Sequence, residues 1–88
     1  MTVALVIQTA SGILTGRFAP REAVTLLATQ GPQARAEAAR LDPIAATRYA
    51  ELVASVRAEL AARPRDADLD AVLDDLDRLE RALSSRRP

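Results

Sequence analysis

The sequence predicts an all-α chain, a small bundle of four to five helices joined by short loops marked by proline and glycine. Three observations carry that expectation. Apolar residues recur at three- and four-residue spacing near the N-terminus, in the middle and near the C-terminus of the 88 residues. Thr2–Ile7 is β-branched enough to pass for a strand, but no second segment could pair with it, and a lone strand would leave its backbone groups unsatisfied. Gly16, Pro20, Gly31-Pro32, Asp42-Pro43 and Pro64 punctuate the chain at helix-length intervals.

Taken in order, Val3, Val6, Ile7, Ala10, Ile13 and Leu14 form the first apolar stripe, and Gly16 stands where a left-handed helix C-cap belongs. Ala19-Pro20-Arg21-Glu22 announces the second helix, with proline at its first position and an acid near its positive end. Gly31-Pro32 is expected to end that helix and to start a short one, Gln33 to Leu41, whose apolar side is nearly all alanine. Asp42-Pro43 opens the next, from Pro43 to about Arg63, with Ala45, Tyr49, Leu52, Val53, Val56 and Leu60 on its core side and a Glu59–Arg63 pair outside. Pro64 stops it. The last helix, about Asp68 to Ser84, is the most regular, with Leu69, Val72, Leu76, Leu79 and Leu83 spaced 3, 4, 3, 4 and Leu73 beside them. Asp74–Arg78 and Asp77–Arg81 are its expected ion pairs. Residues 1–84 thus read as one domain and 85–88 as a flexible basic tail.

Composition narrows the chemistry. Twelve arginines balance twelve acids, so the chain is not a polycation built to coat nucleic acid or an anionic membrane. It has no lysine, and with its abundant alanine, leucine, aspartate and proline that is the mark of a GC-rich bacterial coding sequence. Without cysteine or histidine it lacks the usual zinc ligands, the thiol nucleophile and the commonest acid–base group at neutral pH. No cofactor is expected, and the chain is read as a non-enzyme. Absence of cysteine fits a reducing, cytoplasmic setting. The apolar start has no basic flank and is interrupted by Gln8, Thr9, Ser11 and Gly12, so neither a signal peptide nor a membrane span is expected.

Three motifs invite a sharper reading. Asp66, Asp68, Asp70, Asp74 and Asp77 fall at the ligand positions of a calcium loop, but Ala71 stands where that loop needs glycine. Acids gathered at a helix start explain them better, and no metal is expected. Ala23–Gln30, Gly31 and Gln33–Leu41 have the gross spacing of a helix-turn-helix, spoiled by Pro32 and by Gln30 and Glu37 at positions that need buried aliphatics. Arg35, Arg40, Arg86 and Arg87 would be its phosphate contacts, too few for strong binding. The leucine seam is two heptads long, short of a coiled coil, and a bundle fits it better. Its segment DLDRLERAL resembles the short Leu-rich acidic docking helices of modular synthases, over under a fifth of the chain, as would any Leu-rich bundle helix.

The aliphatic stripes are broad, and the alanine side of Gln33–Leu41 offers little to cover them. The expected function is therefore a non-enzymatic interaction module (an adaptor, assembly subunit or inhibitor) whose apolar helix faces are completed by another protein or a second copy. Leu69, Val72, Leu73, Leu76, Leu79 and Leu83 are the candidate contact residues, Leu73 and Leu83 foremost. A small nucleic-acid regulator, such as a repressor- or antitoxin-like dimer, is the alternative, and a homo-oligomeric structural protein the third.

Overall fold

The structure, a computed structural model, describes residues 1–85. It holds four helices: α1 (Thr2–Leu14), α2 (Pro20–Ala38), α3 (Pro43–Ala61) and α4 (Ala67–Ser84). Around the bundle the neighbours run α1, α2, α4, α3, so α2 and α3 are adjacent in sequence yet stand across the diagonal. The C-terminal ends of α1 and α3 meet at one end, and the end of α2 meets the start of α1 at the other. The helices therefore alternate up and down.

Each helix start follows from its local chemistry. Glu22 accepts the Ala19 N–H at 2.8 Å while Pro20 fills the first position, where no N–H partner is needed. Asp42 caps α3 through the Ala45 N–H at 3.0 Å, and Asp66 caps α4 through the Leu69 N–H at 2.8 Å. Helix α1 ends in a Schellman turn: Arg17 N–H donates to Gly12 O, and Gly16 N–H donates to Ile13 O. Gly16 takes φ of 78°, open to glycine without steric cost.

Helix α1 has no acid in its first turn and no base in its last, so both ends are served from elsewhere. Glu37 of α2 accepts the N–H groups of Val3 at 2.9 Å and Thr2 at 3.2 Å. Arg63, just beyond α3, donates to Ile13 O at 3.2 Å and Leu14 O at 3.0 Å. Anion and cation thus sit at the ends that the macrodipole favours. Arg63 is drawn here and not to Glu59, because the carbonyls at the end of α1 give its fork two acceptors at once, the Ile13 oxygen sharing its second lone pair with the Gly16 N–H.

The core joins Val3, Val6, Ala10 and Ile13 of α1 to Leu27 and Ala34 of α2, Val53 and Leu60 of α3, and the apolar side of α4. Thr9 is the one buried polar residue there among those described; its hydroxyl lies 2.9 Å from Leu5 O and 3.1 Å from Gln30 Oε1, where α1 meets α2. No buried side-chain polar atom among the described residues lacks a partner, as close-packed interiors require.

Three expectations need correction. The break at Gly31-Pro32 does not occur: α2 runs through it to Ala38, and Leu41 lies in the turn that follows. Pro32 and Ala28 are both exposed, so the proline ring sits on the solvent side of α2, where interrupting the hydrogen-bond ladder costs least. Burial of Gly31, Ala34 and Ala38 offsets what remains of the cost. The core side of α3 is turned by about 50° from the one expected, at 100° per residue. Ala46, Val53 and Leu60 are buried, whereas Leu52 is half exposed. Small alanines let α3 approach its neighbours closely, and the larger Leu52 is left outside. On α4, Arg78 pairs at 3.7 Å with Asp75 instead of Asp74, while the Asp77–Arg81 pair forms at 3.1 Å.

Candidate functional site

The six seam residues of α4 lie inside this chain's own core. Leu69, Val72, Leu76, Leu79 and Leu83 are buried, and Leu73 is only 7% exposed. An uninterrupted α2 supplies the covering surface that a broken one would have lacked, and α3 closes the other side. Leu73 and Leu83, the foremost contact candidates because they flank or end the seam, are packed with the rest. Nothing of this face stands free to receive a partner.

The helix-turn-helix loses its turn, since Gly31 is buried within a continuous helix. Arg35 is half-buried on the α4 side of α2, where its charge is felt by Asp75, and Arg40 is exposed in the turn after α2. The structure brings these two arginines to no common groove. Arg86 and Arg87 lie outside the described residues.

The acidic run is likewise taken up by helix chemistry. Asp66 is the α4 cap, Asp70 pairs with Arg65 at 2.6 Å, and Asp77 pairs with Arg81. Among the described residues, no group of three or more acids is placed to hold a metal ion. Arg57 and Glu80 form a bridge between α3 and α4 at 2.8 Å.

Two carboxyls have displaced pKa values. The Val3 N–H bond holds Glu37 below the usual range against some desolvation, with the Thr2 N–H assisting. Burial pushes Asp75 above its usual value, tempered by the nearby Arg78 and Arg35. The two act oppositely on stability. The lowered Glu37 contributes stability that is present above the ordinary glutamate pKa and lost as pH falls through its folded value. The raised Asp75 costs stability at neutral pH, a cost relieved as pH falls through its folded value. Glu37→Gln is expected to flatten the acid limb of the stability profile as pH falls below the ordinary glutamate pKa, with only a small loss at neutral pH because the group is solvent-screened. Urea midpoints measured across that range check it; an unchanged acid limb would remove Glu37 as the cap of α1.

The exposed apolar side chains that remain lie on other faces. Ile44 is 70% exposed and Leu52 50% exposed, two turns apart on the outer side of α3. Between them stands Arg48, and with Asp42, Ala45 and the half-buried Tyr49 they line a shallow groove. The sequence placed Ile44 in no stripe and Leu52 in the wrong one, because pattern alone counts large aliphatics toward the core. Leu5 on α1 and Leu26 on α2 are the other exposed leucines among the described residues. No helix is long and apolar enough to cross a membrane among the described residues. No family model, curated protein or solved structure matches the chain, so its residues alone carry the functional reading.

Proposed function

We propose that this chain is a non-enzymatic helical interaction module that presents the outer side of α3 to another protein. The observation that supports it is the exposure of Ile44 and Leu52 on one helix face, next to the Asp42–Tyr49 groove. A helix face of this kind accepts apolar anchors from a partner, with Arg48 at the centre to fix orientation through a carboxylate or a backbone carbonyl. The absence of cysteine and histidine and the use of the acids as caps and ion pairs leave little for catalysis. The face replaces the α4 seam as the place where a partner would bind.

Charging the face tests the reading. Ile44→Glu with Leu52→Glu is expected to leave helical circular dichroism largely unchanged, since Ile44 is mostly and Leu52 half exposed and neither belongs to the buried core. Proteins recovered with the wild-type chain from its native host should be lost with the double variant. They should be retained with Arg40→Glu, which alters charge in the turn beyond α2. Recovery that is indifferent to the α3 substitutions would sink the proposal.

A further inference from the structure

We propose that α1 is a releasable strap: it undocks and melts as a unit while α2, α3 and α4 stay folded together, giving the chain a minor open form beside the closed one. The first observation is how the helices share their packing. Helix α4 packs extensively on both α2 and α3, whereas α1 packs well on α2 and only lightly on α3. Release of α1 therefore leaves α2, α4 and α3 joined side by side, with α4 in the middle.

The second observation is what secures each helix at its ends. Helices α2, α3 and α4 each have an acid at their own start, Glu22, Asp42 and Asp66, that accepts a backbone N–H three residues away. Those bonds do not depend on α1, and neither does the Arg57–Glu80 bridge between α3 and α4 at 2.8 Å. Helix α1 has no charged side chain and no side-chain cap at its start. Its ends rest on Glu37 and Arg63, whose four bonds to it all break when it undocks.

The third observation is the helix itself. Thr2–Leu14 includes six β-branched residues, a serine and a glycine, all poorer helix formers than alanine. Thirteen residues of that composition do not hold a helix alone in water, so undocking and melting are one event. The hinge is the connector 15–19, where Gly16 at φ of 78° carries no Cβ to hinder a change of backbone direction.

Burial keeps the closed form dominant, since Val3, Val6, Ala10 and Ile13 are at most 3% exposed. Release bares those side chains and removes one cover from Leu27, Val53 and Leu60, their neighbours in the core. The open form thus presents an apolar surface that the closed form hides. Cooperative units smaller than the domain are where such openings occur, and the helix with the fewest independent supports is the one to open first.

Native-state hydrogen exchange of the full chain tests the proposal. In wild type, the Val6, Ile7, Ala10 and Ile13 amides are expected to share one opening constant, at least about tenfold above that of Leu76 and Leu79 in α4. Its denaturant dependence should be shallower, because less surface is uncovered than in global unfolding. Arg63 supports only the closed form, so Arg63→Ala should raise the constants of α1 and α4 together by about fivefold, Val6 as much as Ile13. Leu83 lines the α3–α4 groove with Ala46 and Ala50, so Leu83→Val weakens the closed and open forms alike. It should speed the α4 amides about fivefold and leave those of α1 unchanged. One opening constant shared by α1 and α4 in wild type would overturn the proposal, as would Leu83→Val speeding both helices equally. So would constants that fall steadily from Val6 to Ile13, the mark of fraying from one end. The Ile44–Leu52 face belongs to both forms, so each of these outcomes leaves the α3 reading as it stands.

Discussion

Leu76→Ala is expected to cost about 2–5 kcal/mol, a large part of the ~4–13 kcal/mol that a domain of this length possesses. Leu76 has no exposed surface and sits in the middle of α4, where α2 and α3 both pack. Removing three carbons there leaves a cavity that helices on both sides would have to close, and only partial closure is usual. A loss of ~3 kcal/mol lowers the melting temperature by about 12–24 °C. Arg78→Ala, two residues on and exposed, should cost well under 1 kcal/mol, because its partner Asp75 is 3.7 Å away and solvent screens the pair. Thermal melts of the two variants side by side provide the measurement. Equal losses would mean that the buried side of α4 is misplaced.

Gly12→Val is expected to cost about 2–3 kcal/mol through overpacking, more than the helix propensity of valine over glycine returns. A Cβ at position 12 would come within 2.9 Å of Phe18 Cε2 and closer still to Cδ2. The ring lies against the bare backbone of α1, while Phe18 N–H donates to Gly12 O at 3.1 Å. Glycine is needed there for the space it leaves, whereas Gly16 is needed for its positive φ. In a Phe18→Ala background, Gly12→Val should become nearly neutral, and that non-additivity in denaturant midpoints identifies the ring as the cause. A penalty of the same size with the ring gone would instead point to the Schellman turn.

Which elements were legible follows from how loudly each is written. Asp42-Pro43 and Ala19-Pro20-Arg21-Glu22 are helix starts because the cap chemistry lies within four residues, and local signals of that sort survive in the fold. Helix α4 is legible because leucine and valine alone define its stripe. Gly31-Pro32 misleads because a proline stops a helix only where packing gives no compensation, and the burial of Ala34 and Ala38 is a tertiary fact. Leu52 misleads for a related reason. A period-3.6 pattern with alanine on several sides does not say which side is chosen when small residues permit close approach. The tertiary caps Glu37 and Arg63 could not be read at all, since their partners are 34 to 50 residues away. The Leu69–Leu83 seam was legible as an apolar face, but whether a face is covered by its own chain or another depends on the length of α2.

The order of neighbours around the bundle has a consequence for how the chain folds. Helices α2 and α3 touch little, although only a four-residue turn separates them, and each packs extensively on α4. A chain that has formed α1, α2 and α3 has one antiparallel pair, α1–α2, one parallel pair, α1–α3, and an open side where the fourth helix belongs. Closing that side requires α4 to turn back after the short connector 62–66 onto α3 and to reach α2, from which the whole of α3 separates it in sequence, and that ordering is compensated only when its leucines land. Substitutions on α4 should therefore slow folding, whereas changes at the α1 end caps should mainly hasten unfolding. The segment that follows the other three in the chain is the one on which the whole assembly waits.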